Sequence, residues 1–291
     1  MNKCLITKLN GFVNNPELLR LGEMRMKILK VSNPTEHTQG FGIGVNKTVT
    51  LEIVSDGYFT DKTLTENKGK NATLNVGLND IWVNGNSDVE IAILDKYSLT
   101  TINLYYKGEN SNNVYGKNVK FSISDLKYST ALTSLDLFTT QVSGDIDALK
   151  NLTALSSLTL SNTQVPLTGD IGQLSTLSNC TEMRLHYSKL TGDLAKLPSV
   201  CRFVSFYSDK GSVFTWSTRP SSAKIIAIEG LASLTNIDKM LQDQAQCQVG
   251  FSSGDNIWLK KISVAGNRTS ASDDAVATLQ QKGYTISIAK V

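Results

Sequence analysis

The chain has 291 residues, 40% hydrophobic and 19% charged, enough to bury a core without disulfide staples and too polar for a fibre or a bundle of membrane spans. The 29 Lys and Arg against 26 Asp and Glu leave a formal charge of +3; residues 1–97 hold 11 of each sign and the remainder 18 bases and 15 acids, so neither part has the concentrated basic field of a nucleic-acid binder. Ser, Thr and Asn take the place of charge, and 21 Gly with only 5 Pro suits short strands joined by turns.

In residues 1–97 no repeat is found. Met24, Met26 and Ile28 alternate with Arg25 and Lys27; Val49, Leu51 and Ile53 with Thr50 and Glu52; Val89, Ile91 and Ile93 with Glu90 and Ala92. A period of two predicts antiparallel strands with one wet face, separated by loops at Ser32–Gly44 and Thr60–Asn71 and forming an N-terminal antiparallel β-sandwich. Asp56 and Asp61 in DGYFTDKT lack the spacing of a calcium loop and read as a hairpin turn. The first residues hold one brief apolar pair, Leu5-Ile6, so no signal peptide is expected, and no apolar run approaches bilayer length. The opening CLITKLNGFVNN (Cys4–Asn15), with LGEMRMKI (Leu21–Ile28), resembles the start of structural proteins of phages and prophages of gut Bacteroidetes. That resemblance implies a virion component made in the bacterial cytoplasm; without it, the expectation is a cytoplasmic protein.

From residue 98 the chain repeats itself. LTSLDLFTTQVSGDIDALKNLTA from Leu132, LSSLTLSNTQVPLTGDIGQLSTLSN from Leu155 and CTEMRLHYSKLTGDLAKLPS from Cys180 share one frame: an apolar residue, two free positions, an apolar residue, one free position, an apolar residue, a turn, Gly-Asp and a second apolar set. The central strand residues are read as Leu135, Leu158, Met183 and Phe203, and an earlier copy as Leu99, Ile102 and Leu104, with Tyr105–Lys120 as an inserted polar loop. Each unit has too few apolar residues to close a core, so neighbours must stack. Val142-Ser143-Gly144-Asp145-Ile146 and Leu190-Thr191-Gly192-Asp193-Leu194 make the segment resemble leucine-rich repeats of the Leu-Ser/Thr-Gly-x-Ile variety. The resemblance implies a short solenoid over 98–291, within a mainly β chain with some α/β character, and a binding role. The family usually has Asn at the turn after the strand; Thr140, Thr163, Ser188 and Ser208 stand there, and a less regular solenoid is expected.

The end of the chain reads as capping β-α units: KIIAIEG (Lys224–Gly230) as a buried strand; Ile237–Ala245 as a helix burying Ile237, Met240, Leu241 and Ala245; Lys261–Val264 as a strand. A last helix is capped by Ser270 or Ser272, carries Asp273 and Asp274 in its first turn, buries Ala275, Val276 and Leu279, and stops at Gly283 before a strand at Tyr284–Ile288.

Material for catalysis is sparse. His37 and His186 are the two histidines, the cysteines Cys4, Cys180, Cys201 and Cys247 form no C-x-x-C pair, and no nucleophile elbow, phosphate loop or zinc motif occurs, so no enzyme and no cofactor is expected. The repeated Gly144-Asp145, Gly169-Asp170 and Gly192-Asp193 would stack their carboxylates about 5 Å apart. Capping a turn explains them better than binding a cation, because no second acidic row lies alongside. The free strand positions face out of the core: Ser134, Asp136 and Phe138; Ser157, Thr159 and Ser161; Glu182, Arg184 and His186; Arg202, Val204 and Phe206. Arg184, His186, Tyr187, Arg202, Phe206 and Tyr207 combine Arg with aromatic residues, the composition of a recognition patch for a protein or glycan. The competing reading places Phe206 and Tyr207 in the core beneath Asp209–Arg219, with Phe214 and Trp216.

Overall fold

The computed structural model describes residues 26–31, 39–60, 66–84, 88–104, 119–138, 140–160, 167–186, 189–206, 212–230, 233–251 and 259–290. The Cys4–Asn15 segment, His37, Asp61, the loop over 105–118, Thr163, Tyr187, Ser188, Tyr207 and Ser208 lie outside them. The protein is mainly β with few helices, and its repeats build a large parallel sheet in the manner of a leucine-rich-repeat solenoid.

The main ladder runs through β8 (Leu99–Asn103), β10 (Ser134–Asp136), β12 (Ser157–Thr159), β14 (Glu182–Arg184), β16 (Phe203–Ser205), β18 (Ala227–Glu229), β20 (Lys261–Ala265) and β21 (Thr285–Ala289), every neighbouring pair parallel. Ile102, Leu135, Leu158, Met183, Val204, Ile228 and Ile262 follow one another across it, each at most 1% exposed. Burying one such side chain stabilises by roughly 1.5–3 kcal/mol, too little for a coil alone and ample when each is shared by two neighbours. The third apolar residue of each coil sends its N–H to the next rung: Leu104 to Asp136, Leu137 to Thr159, Leu160 to Arg184, Leu185 to Ser205 and Phe206 to Glu229, at 2.7–2.9 Å. Thr140, standing where Asn was expected, is buried and donates its hydroxyl to Leu137 C=O at 2.8 Å, so it closes its own coil while backbone bonds join the rungs.

One register differs from the sequence reading. Met183 pairs with Val204, not Phe203. Cys201-x-x-Val204-x-Phe206 repeats the spacing of Cys180-x-x-Met183-x-Leu185, and a one-residue slip exchanges inside for outside along the whole strand. Val204 and Phe206 therefore point into the core and Phe203 takes the strand face.

A second ladder lies on the return side of the coils, through β9 (Val119–Ser122) and β11 (Gln141–Ser143), then β13 (Thr168–Asp170), β15 (Lys189–Asp193), β17 (Val213–Thr215) and β19 (Ser233–Leu234). An Asp145–Thr168 bridge joins β11 to β13, and both ladders meet at β20. The Gly-Asp pairs turn the chain out of this ladder. Gly144, Gly169 and Gly192 have φ of +114°, +126° and +110°, and each following Asp caps a short 3-10 turn, accepting from Asp147 N–H at 2.9 Å, Gly172 N–H at 2.7 Å and Ala195 N–H at 3.0 Å. A side chain on Gly169 or Gly192 would run into the carboxylate of the preceding coil, Asp145 or Asp170.

The strands before residue 98 extend both ladders. β2 (Gln39–Val45) pairs antiparallel with β8, followed by β6 (Gly77–Asn84) and β4 (Tyr58–Thr60); β1 (Met26–Val31) lies beside β9, followed by β7 (Val89–Ile93), β3 (Val49–Ile53) and β5 (Asn71–Leu74). Antiparallel strands were expected, but their sheets run on into the repeats across the 97/98 boundary instead of standing apart. The loop expected over Ser32–Gly44 contains β2, because Phe41, Ile43 and Val45 are buried while Gly40, Gly42 and Gly44 alternate with them. Glycine is needed there: a Cβ on Gly44 would come within 2.7 Å of Thr101 Cβ on the adjoining rung.

At the other end, α1 (Ile237–Gln246) buries Gln244 where Ala245 was expected, since the Gln244 amide pairs with both backbone groups of Ile226, at 2.7 and 3.2 Å. α2 (Asp273–Gln281) follows a 3-10 turn capped by Thr269; the Ser272 hydroxyl, expected as a cap, donates instead to Asp238 of α1 at 2.6 Å. Asp243 of α1 accepts from Trp216 Nε1 at 2.9 Å and from Arg219 N–H at 3.2 Å. The Arg219 guanidinium is 3% exposed and donates to five carbonyls, those of Lys224, Ala195, Leu197, Pro198 and Cys201, at 2.9–3.3 Å. Arg219→Met would strand these acceptors in the interior and is expected to cost about 3 kcal/mol or more, measured by denaturant unfolding.

Candidate functional site

The period of two that sends the central residues inward sends their neighbours out, and the shared register lines these up across the rungs. The early rungs present small or hydroxylic groups with one acid: Thr101 and Asn103, Ser134 and Asp136, Ser157 and Thr159. Burial holds the Asp136 carboxyl above its usual range, against the opposing pull of its bond from Phe138 N–H and of Arg184.

The next rungs are different. Glu182 of β14 is half-buried and its two oxygens divide between two guanidiniums, Oε1 accepting from Arg202 at 3.0 Å and Oε2 from Arg184 at 3.4 Å. Arg184 lies 5.4 Å from the centre of the Phe203 ring and Arg202 4.8 Å from that of Phe251. Each cation is thus held by a carboxylate at one end and an aromatic face below, while 38% and 32% of the two side chains stay exposed.

His186, just past β14, places Nε2 2.7 Å from Ser205 Oγ. Desolvation lowers the imidazole's tendency to protonate; Glu229 opposes this and Arg184 adds to it. A Ser, a His and a Glu so close invite comparison with a nucleophilic triad. Across the rungs the order is His186, Ser205, Glu229, with Ser205 opposite Glu229 in the register and only 1% exposed. The imidazole does not stand between the other two, and the hydroxyl is closed to a substrate; the pair links adjacent rungs.

Of the residues expected in the patch, Arg184, His186 and Arg202 come together on this face. Phe206 does not. It is fully buried, its ring centre 4.5 Å from that of Phe214, as the competing core reading has it. Tyr187 and Tyr207 fall outside the described residues. Sequence reasoning missed Phe203 and Phe251 as the rings beneath the guanidiniums; the Cys-x-x-Val-x-Phe spacing would have revealed the first, while nothing local marks the second. Among the described residues Cys180, Cys201 and Cys247 are free and buried, burial pushing the first two thiols up to about 12 and about 11, and no group of three or more His, Cys, Asp and Glu is placed to hold a metal.

No family model and no curated protein matches the chain. Among solved structures it is similar to the leucine-rich-repeat ectodomain of the plant membrane receptor kinase GASSHO1/SCHENGEN3 from Arabidopsis thaliana in complex with CASPARIAN STRIP INTEGRITY FACTOR 2, with 21% identity over 66% of this chain and 21% of that one, at a TM-score of 0.37. It is also similar to PEPR1 with AtPEP1, with 16% identity over 66% of this chain and 35% of that one, at a TM-score of 0.33. The chain therefore spans about a fifth and about a third of those proteins, and the reading of its fold rests on its own rungs.

Because burial lowers the His186 pKa below its ordinary 6.5, the unfolded chain takes up the proton first as the solution is acidified. The contribution to stability is full above that value and lost as the pH falls below it; His186→Gln should flatten this part of a thermal-midpoint series taken between pH 7.5 and pH 5 (roughly the window set by an unperturbed imidazole). Phe206→Ala should cost about 3–5 kcal/mol in denaturant unfolding, as truncation of a buried ring does.

Proposed function

We propose that the protein is a non-catalytic binding or assembly protein that engages a protein partner through the strand face of β14, β16 and β18. The observation that carries this reading is the Glu182 carboxylate holding Arg184 and Arg202 side by side over two aromatic rings. Two guanidiniums fixed side by side suit a partner that offers several carboxylate or backbone carbonyl acceptors at once, and holding them in advance lowers the ordering cost of binding. A glycan is the second occupant this face could take. The N-terminal strands, continuous with both ladders, serve as the attachment end.

The setting we propose is a phage or prophage virion, with the protein made in the bacterial cytoplasm. Its support is the sequence likeness of Cys4–Asn15 and Leu21–Ile28, and peptide mass spectrometry of purified particles should find the chain at stoichiometric level. The alternative, a bacterial surface adhesion protein, would be released by shaving intact cells with protease.

The binding face is tested with a library of random linear peptides displayed on phage, panned in parallel on the protein and on Arg184→Ala/Arg202→Ala. Peptides enriched on the native protein should lose at least about tenfold in affinity on the double variant, about 1.4 kcal/mol, with its thermal midpoint nearly unchanged. Equal retention by both proteins would place the binding surface elsewhere.

A further inference from the structure

The two outermost described strands of the main ladder, β4 and β21, are finished differently. At the N-terminal end the outer edge of β4 is occupied: Phe59 N–H donates to Gly69 C=O and Lys68 N–H to Phe59 C=O, both at 2.8 Å. At the other end β21 makes five in-register pairs with β20, from Lys261 with Thr285 to Ala265 with Ala289, and among the described residues no strand lies on its far side. The hydrogen bonds show which groups remain. Thr285 N–H donates to Lys260 C=O at 2.9 Å and Ala289 C=O accepts from Gly266 N–H at 2.8 Å, so 285, 287 and 289 turn their backbone polar groups toward β20. Ile286 and Ile288 turn theirs outward.

Edges of this kind are ordinarily blunted by a lysine, a proline or a bulge, and Thr-Ile-Ser-Ile-Ala has none of these. Beside the strand lies a cavity of about 290 Å³ lined by the partly exposed apolar residues Val276, Ile286 and Ile288, with Arg268 and Lys290 also on its wall. Arg268 is ion-paired with Asp273, so its charge is already matched within the chain.

We propose that a second copy of this chain covers this edge, β21 pairing antiparallel with the partner's β21 about a two-fold axis that passes midway between the two Ser287 residues. The strand itself selects a copy of itself, because reversal preserves its pattern. Ile286 meets the partner's Ile288, Ser287 meets the partner's Ser287, and Thr285 meets the partner's Ala289, so the apolar side chains of both copies fall on the face that carries α2. The backbone agrees with this register. Ile286 and Ile288 occupy the sites whose N–H and C=O point outward, so each exchanges both bonds with its opposite number, while Ser287 falls at the non-hydrogen-bonded centre. The contact uses the same patch on both copies and closes at two, which prevents a filament. It leaves the reading of the strand face untouched, and neither depends on the other.

The test uses the full chain. In an antiparallel pair centred on Ser287, the two Cα atoms at that position lie about 4.5 Å apart. A disulfide spans Cα separations of about 4.4–6.8 Å. Ser287→Cys in a Cys4→Ser background, treated with oxidised glutathione, should form an intermolecular disulfide as two thiols are oxidised and one glutathione disulfide is reduced to two thiols. A covalent dimer on a non-reducing gel, absent from the Cys4→Ser parent, is the expected result, with a doubled mass for the unmodified chain by light scattering across a dilution series. Ile288→Lys should be monomeric with its far-ultraviolet circular dichroism preserved; if it fails to fold, the disulfide and the mass still decide. A monomer at every concentration leaves the edge to a strand from some other protein and overturns the proposal, as does a dimer in which Ser287→Cys cross-links no more than the parent.

Discussion

The row of Ile102, Leu135, Leu158, Met183, Val204, Ile228 and Ile262, one from each successive rung, is the constraint from which the rest of the molecule follows. No coil owns a core; each owns half of two interfaces, so the apolar area that stabilises a rung exists only while its neighbours are in place. Because side chains alternate along a strand, fixing the inner row also fixes the outer one. Glu182 stands opposite Phe203, and Arg184 opposite Ser205, because Met183 and Val204 are locked together beneath them. The candidate site is thus a consequence of interior packing, and its geometry is as rigid as that row.

Keeping two ladders apart is a separate problem, solved by the Gly-Asp turn in some coils and by a buried cation in another. Where the motif is present, glycine supplies the left-handed backbone and the close approach to the preceding coil, and aspartate satisfies the start of the next turn. Past β17 the motif is missing, and Asp193 of the preceding coil, which caps its own turn at Ala195, also reaches forward to accept from Ser217 N–H at 3.1 Å. The carbonyls of Ala195, Leu197, Pro198 and Cys201 converge on Arg219, that of Pro198 accepting from Cys201 N–H as well. A guanidinium has five donors in one plane, so one side chain serves a whole turn of acceptors. Burial lowers its pKa, yet an arginine starts so far above neutrality that it keeps its charge.

Period and spacing carried most of the repeat architecture. The three matching coils, the earlier copy at Leu99 and the capping units were legible because a short frame recurred and because helix caps and stops are local chemistry. What escaped detection depended on neighbours. Gly40, Gly42 and Gly44 argue locally against a strand, and only the close approach of Thr101 on the adjoining rung explains the glycine at 44. Gln244 reads as solvent-facing until Ile226 supplies an amide partner. The face itself was half legible: Arg184 and His186 followed from alternation, while the slip at Phe203 carried Phe206 to the wrong side, and Arg202, which precedes β16, joins the face through its bond to Glu182 and not through the alternation. The constant spacing from Cys201, the same as from Cys180, marks Val204 and not the larger Phe203 as the inner residue.

The arrangement at Glu182 also limits what the face can do. Two guanidiniums already share one carboxylate, so an arriving acid competes with Glu182 for the same donors, and a lone carboxylate gains only the difference between two similar contacts. Net attraction must then come from what Glu182 cannot offer, several acceptors placed at once across both guanidiniums. Specificity of that kind is a difference between a partner that satisfies the whole cluster and one that merely displaces its internal acid. A pre-held pair of arginines therefore favours recognition of an extended, shaped surface over capture of small anions, which is the physical reason a macromolecular partner is the one proposed for this face.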